Sequence, residues 1–186
     1  YNRAYTLGDL YESLLKQTCF DFEWLIVDDG SADNTEELVK NWTDNGKFAV
    51  RYYKKSNGGK PSAINCGLQL AKGEYFWIID SDDTATPNGV ETCLKWITNL
   101  PEGEKFAGVG GLRGDKSGGI IGTTFEGDYV DATTLERANH NIGGDKSEMF
   151  FTDVIRQFPF PEFAGEKFVP EALVWNRIAK AGYKIR

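Results

Sequence analysis

The sequence predicts an α/β domain: an open, mainly parallel, twisted Rossmann-like sheet with helices on both faces. Three observations predict it. Apolar runs of strand length at residues 22–27, 50–53 and 75–79 alternate with segments of helical period, the order from which right-handed βαβ sheets are built. Two of these runs end in acid-rich loops, Asp28-Asp29-Gly30-Ser31 and Asp80-Ser81-Asp82-Asp83, at the carboxyl ends of strands, where open α/β sheets bind ligands. The 186 residues suit one domain, spanning 1–186, that can bury its own core.

In chain order, residues 5–17 place Leu7, Leu10, Tyr11, Leu14 and Leu15 at the spacing of an amphipathic helix. Residues 22–27 predict a buried strand that delivers Asp28 and Asp29 at its end. Asp33-Asn34-Thr35-Glu36-Glu37 has helix-start chemistry, and the helix it opens is expected to run through Leu38, Val39 and Trp42. Residues 50–53 predict a short strand. Asn57-Gly58-Gly59-Lys60-Pro61 is then a glycine turn into a helix that turns Ile64, Leu68 and Leu70 inward and stops at Gly73. Residues 75–79, aromatic and β-branched and too few for a helix, are expected to form a buried central strand of a parallel sheet. Pro87 begins a helix that buries Val90, Leu94, Trp96 and Ile97, and residues 107–112 predict a glycine-rich, closely packed strand. Residues 113–146 lose periodicity, with Ile120, Ile121, Phe125 and Tyr129 hinting at short strands. Residues 146–156 suit a strand and a helix, and residues 170–181 predict a last helix with Leu173, Val174, Ile178 and a stop at Gly182.

The 28 acidic and 21 basic residues give a formal net charge of −7, and no Lys/Arg-rich run occurs, which argues against nucleic acid as a partner. A small pyrophosphate stays compatible, because it needs only a metal and one or two cations at one place. Cys19, Cys66 and Cys93, odd in number and in no ligand spacing, predict buried thiols in a reducing compartment, so a cytoplasmic location is expected. No apolar run is long enough to cross a bilayer. The chain opens on a loop-like Tyr1-Asn2-Arg3 with no strand before it, which predicts that the natural protein continues upstream.

The loop after residues 75–79 carries the strongest chemical signal. Asp80, Asp82 and Asp83 around Ser81 put three uncompensated carboxylates at one strand tip, and a hard divalent cation with bound phosphate oxygens is the usual remedy for their repulsion. Ordinary turn and cap formation is the competing explanation.

Six separated pieces then match one family in order: Tyr1-Asn2-Arg3-Ala4, Ser13-Leu14-Leu15-Lys16-Gln17-Thr18, Val27-Asp28-Asp29-Gly30-Ser31, Asn57-Gly58-Gly59-Lys60, Asp80-Ser81-Asp82-Asp83 and Glu171-Ala172-Leu173-Val174-Trp175-Asn176-Arg177. The chain resembles the family 2 inverting glycosyltransferases, which have a GT-A fold. The family's first strand, which normally precedes the Tyr-Asn-Arg turn, has no counterpart in these residues.

That resemblance implies a hexosyl- or N-acetylhexosaminyl-transferase of polysaccharide or cell-envelope biosynthesis. Its donor would be a nucleotide sugar, with uridine as the base, and its acceptor a glycan, a lipid-linked or another hydroxyl. Peripheral membrane association of the full-length protein is a further expectation. Tyr1 would lie against the nucleobase and Arg3 would meet base or phosphate oxygens. Asp28 and Asp29 would accept hydrogen bonds from the base, Asp29 from the uracil N3–H, although either also serves as a cap for the following turn. Lys60 would contact phosphate or ribose, Asp80 the ribose hydroxyls, and Asp82 would ligate Mn²⁺ or Mg²⁺ with Asp83 in support.

In much of the family the catalytic base is the second residue of a Glu-Asp pair ahead of Trp-x-Arg. Here Trp175 and Arg177 set the frame, Glu171 falls on the Asp position, and Pro170 replaces the preceding Glu. Glu166 competes with Glu171, and either is also explained as a glutamate complementing a helix dipole. His140, the only histidine, sits in a polar loop expected to be exposed. The segments Arg113-Gly114-Asp115-Lys116 and Gly143-Gly144-Asp145-Lys146 read as acceptor-facing loops or as plain turns. A nucleotide-sugar-binding module without turnover and a receiver-type signalling domain are the alternative readings.

Overall fold

A computed structural model describes residues 1–44 and 46–186. In chain order the elements are α1 (Ala4–Leu15), β1 (Glu23–Asp28), α2 (Thr35–Lys40), β2 (Ala49–Lys54), α3 (Lys60–Leu70), β3 (Tyr75–Trp77), α4 (Gly89–Thr98), β4 (Phe106–Gly114), β5 (Ile120–Ile121), β6 (Lys146–Phe151), α5 (Thr152–Ile155), α6 (Ala172–Lys180) and β7 (Lys184–Ile185). The α/β class and helices on both faces agree with the sequence. Several boundaries are tighter than expected: α2 ends at Lys40, leaving the buried Trp42 beyond it, α3 ends at Leu70 rather than Gly73, β3 ends at Trp77 rather than residue 79, and α4 begins at Gly89 rather than Pro87.

The strands differ from the expected single, mainly parallel sheet in two respects: among the described residues they form two sheets, and the larger is mixed, with three antiparallel pairings. β1 and β2 form a parallel pair in register from Glu23–Ala49 to Asp28–Lys54. β3, expected as a central parallel strand, instead pairs antiparallel with β6, Tyr75 opposite Phe151 and Trp77 opposite Met149. β6 in turn runs antiparallel to β4, and β7 adds a short parallel pairing to β4, so the second sheet is mixed. The physical reason lies in residues 146–151: this late strand returns across the sheet, and its Met149 and Phe150 alternate faces as a strand buried on both sides requires.

Alternation sorts the core. Phe76 and Ile78 pack with Ile64 and Leu68 of α3, and with Phe150, Val174 and Ile178, on one face. Tyr75 and Trp77 pack with Ile97 of α4, Val109 and Met149 on the other. A second centre joins Leu7, Leu10 and Leu14 of α1 to Ile26, Val39, Trp42 and Val50. The close packing expected at residues 107–112 is present at Gly108, where an added Cβ would run into the Met149 carbonyl of β6. The three cysteines are free and half-buried rather than buried, and burial pushes the Cys93 thiol up to about 11.

Candidate functional site

The two acid loops border one cavity of about 1170 Å³, whose polar end is walled by Tyr1, Arg3, Asp29, Gly59, Lys60, Asp80, Asp82 and Lys167. β1 and β3 both point their carboxyl ends at it, as the fold class requires of a ligand crevice.

At the β1 end the adjacent aspartates diverge, because successive residues of a strand face opposite ways. Asp28 does not wall the cavity. It is 3 % exposed, its Oδ1 accepts the Ser31 N–H at 2.8 Å, and its Oδ2 accepts the Tyr52 hydroxyl at 2.5 Å. Burial alone would raise its pKa, but those hydrogen bonds outweigh it and hold the carboxyl below the usual aspartate range. Asp29 faces the cavity. Its Oδ1 accepts from Lys55 Nζ at 3.0 Å and the Gly58 N–H at 2.9 Å, and its Oδ2 accepts from the Gly59 N–H at 2.7 Å. A carboxylate has about four lone-pair sites, so Asp29 keeps acceptor capacity on Oδ2.

The glycine turn is shaped by that grip. Gly59 has φ +87°, and a Cβ there would meet the Lys167 backbone, so only glycine lets the 166–168 loop close over the start of α3. Lys167 itself donates to Asn57 Oδ1 at 2.6 Å, and Asn57 donates to the Asp29 carbonyl at 2.8 Å.

At the β3 end the expectation of uncompensated carboxylates is corrected, because each has its own cation. Asp80 Oδ1 lies 2.6 Å from Lys60 Nζ, Asp82 Oδ2 lies 3.3 Å from Arg3 Nη1, and Asp83 pairs with Arg113. Lys60 also reaches Glu171 Oε1, at 2.8 Å, at the head of α6. Burial alone would depress the Lys60 ammonium, but Asp80 and Glu171 outweigh it and hold its pKa above the ordinary lysine value.

Divalent-cation binding can be judged from the donors present. Among the described residues no three Asp, Glu, His or Cys side chains converge as a metal cage would require. The half-exposed Asp82 fits the other arrangement, in which one or two carboxylates share a hard cation with substrate phosphates. His140 lies exposed in a 3-10 turn, Arg137–His140.

Glu166 is exposed and accepts the Phe168 N–H of its own loop at 2.9 Å. Asp115 accepts from the Ser117 and Gly119 amides at 2.8 and 2.9 Å, so that segment is a turn held by its own aspartate. Sequence reasoning missed Lys55 and Lys167, lone lysines without a motif, and the buried pair Arg137–Glu148 at 2.8 Å. Burial holds the Glu148 carboxyl above the usual range against Arg137, and Glu171 adds to the rise.

A family model described as "Glycosyl transferase family 2" matches residues 1–109. Over 95 residues the chain is 43 % identical to a chondroitin synthase of Pasteurella multocida, covering 51 % of this chain and 10 % of that protein. The Streptococcus pneumoniae glycosyltransferase GlyG is 38 % identical over 97 residues, 52 % of this chain and 32 % of its own. The chain thus spans between about a tenth and a third of these relatives. Among solved structures, S. aureus TarS 1–349 in complex with UDP-GlcNAc superposes with a TM-score of 0.76 at 20 % identity, covering 100 % of this chain and 53 % of that one. GalNAc-T7 with UDP, GalNAc and Mn²⁺ gives 0.59 at 17 %, over 97 % and 39 %. At such identities the superpositions speak for the fold, a Rossmann-like GT-A arrangement.

Proposed function

The chain belongs to glycosyl transferase family 2, and from that premise we propose that it serves an enzyme moving a sugar from a UDP-sugar to an acceptor hydroxyl, with inversion and with a divalent cation. The observation that carries this reading is the position of Lys60, a single cation held between Asp80 at the tip of β3 and Glu171 at the head of α6 on the wall of the shared cavity. The UDP, UDP-GlcNAc and Mn²⁺ bound by structural relatives support the donor class and the metal.

In this proposal the Tyr1 ring stacks on uracil and Asp29 accepts its N3–H on the remaining acceptor site of Oδ2, while Asp28 positions Asp29 by locking the turn that follows β1. Asp80 holds ribose hydroxyls. Asp82, paired with Arg3 in the structure, would hold Mn²⁺ or Mg²⁺, and that cation would supply positive charge to the leaving group. Arg3, released, meets phosphate oxygens. Lys60 turns from its carboxylates to the β-phosphate, which leaves Glu171 free to accept a proton.

The displacement is a single step. The acceptor oxygen bonds to the anomeric carbon on the face opposite the donor diphosphate, its proton passes to Glu171, and the anomeric C–O bond breaks with its electron pair leaving on UDP. Glu171 acts as the general base and Lys60 as electrostatic support for the departing charge. Of the alternatives, the receiver domain falls with the family match. A non-catalytic binding module predicts UDP binding without turnover. Incubation of the full-length protein with UDP-[¹⁴C]GlcNAc and hydroxyl acceptors, read as ¹⁴C carried onto the acceptor, decides between binding and transfer.

No helix is long and apolar enough to cross a membrane among the described residues. Peripheral membrane association and a cytoplasmic site of action belong to the proposal.

A further inference from the structure

β2 ends at Lys54, opposite Asp28 of β1, and the next backbone N–H, that of Lys55, donates to the Asp28 carbonyl at 2.9 Å. Lys55 therefore follows β2 as Asp29 follows β1, and the two residues leave the parallel pair side by side. Lys55 Nζ lies 3.0 Å from Asp29 Oδ1 and donates to the Ser56 carbonyl at 2.7 Å. The two side chains are 17 % and 8 % exposed, and among the described residues this is the one ion pair that Asp29 makes.

The three donors on Asp29 do different work. The Gly58 and Gly59 amides grip one oxygen each and fix the plane of the carboxylate. They are neutral, and a buried carboxylate left without a cation is costly. Lys55 supplies the cation, and it does so from behind: Asp29, Asn57 and Gly59 wall the cavity, whereas Lys55 does not. The acceptor capacity left on Oδ2 therefore stays free for a ligand. The cations on the cavity wall are held elsewhere, Arg3 by Asp82, Lys60 by Asp80 and Glu171, and Lys167 by Asn57. Without Lys55, one of them or a solvent cation would be drawn to Asp29 from the ligand's side.

We propose that Lys55 is a specificity-determining positioning residue, which keeps Asp29 open to the cavity as a charged, acceptor-only group and so selects a uracil nucleotide over a cytosine nucleotide. The proposal rests on the reading of Asp29 as the partner of uracil N3–H. An ionised carboxylate accepts hydrogen bonds and donates none. Uracil presents an N–H at N3 where cytosine presents a lone pair, so the same oxygen attracts one base and repels the other. Because Lys55 stands off the cavity wall, its effect on the base passes through Asp29.

UDP and CDP share ribose and diphosphate, so contacts made by Arg3, Lys60, Asp80 and Asp82 cancel in the ratio of their affinities. The test titrates the full-length protein with each nucleotide in the presence of Mn²⁺ by calorimetry, and it reads binding whether or not the protein turns over. Wild type is expected to bind UDP about 100-fold tighter than CDP or better. Lys55→Met is expected to weaken UDP about 10- to 100-fold, the range of a hydrogen bond to a charged group, with CDP nearly unchanged. Lys55→Gln keeps a donor at that place and loses only the charge; it is expected to lose the preference as well, and it carries the test if the methionine variant does not fold. A wild-type UDP-to-CDP ratio in either variant overturns the role of Lys55, while loss of the ratio in Asp29→Asn would still stand for Asp29. A wild type that binds both nucleotides alike, or an Asp29→Asn that keeps the preference, overturns the reading of Asp29 and this proposal with it.

Discussion

Lys60 Nζ and Glu171 Oε1 stand 2.8 Å apart, with Asp80 Oδ1 on the same ammonium at 2.6 Å, so one side chain couples the tip of β3 to the head of α6. The Lys60 and Glu171 side chains are 40 % and 38 % exposed, and pairs that open to water add about 0–1 kcal/mol to stability. The coupling therefore adds little to folding, and the proposed mechanism gives it a role in chemistry instead. Lys60→Met is expected to lower kcat about 10²- to 10³-fold, the loss typical of one group removed from a developing charge. The melting midpoint should stay within about 4 °C. Steady-state kinetics beside a thermal melt checks both, and a variant that melts far lower with normal kcat would show a structural lysine.

Glu171→Gln keeps the shape of the α6 head and removes the proposed proton acceptor. The expected result is a kcat about 10²- to 10⁴-fold lower, with stabilisation by UDP unchanged. Glu166→Gln, whose carboxylate caps its own loop, should turn over normally. The reverse pattern would move the base into the 166–168 loop.

What the sequence revealed was whatever local chemistry decides. The strand after Phe22, the glycine turn before Lys60 and the leucine stripe of α1 are dictated by neighbours in the chain, and the structure keeps all three. The direction of β3 was not legible, because it depends on a partner some 70 residues away in β6. The pairing of the cations was hidden for the same reason. Arg3 and Lys60 stand out in sequence as ligand contacts, but only the fold brings them, and Arg113, each to an aspartate of the 80–83 loop. Asp28 and Asp29 both read as base acceptors until the pleat sends one to Tyr52 and the other to the glycine amides.

Asp82 shares its carboxylate with Arg3 at 3.3 Å, so a cation binding there must displace a guanidinium. UDP with Mn²⁺ is expected to raise the melting midpoint more than UDP alone. Asp82→Ala should erase that manganese increment. Arg3→Ala should retain it and lower the Mn²⁺ concentration for half effect, since the competitor is gone. A manganese increment that survives Asp82→Ala removes this residue from the metal site.

Asp28 offers a test of the buried side of the site through pH. Its pKa is held below the ordinary value of about 3.9. A depressed carboxylate contributes stability above its unfolded pKa and loses it as the pH falls through the folded one. Asp28→Asn removes the charge while the carbonyl oxygen can still accept one hydrogen bond, leaving either the Ser31 N–H or the Tyr52 hydroxyl poorly served. The cost for such a buried group is about 1–3 kcal/mol, which for a domain of this size lowers the melting midpoint roughly 2–12 °C near pH 7. As the pH drops below about 4, wild type loses the contribution that the variant already lacks, and the two curves should converge. Tyr52→Phe, which spares the Ser31 bond, should show a smaller gap with the same convergence. A gap of constant size from pH 7 to pH 3 would mean that the loss comes from packing rather than from charge. Asp28 would then hold Asp29 in place by shape alone.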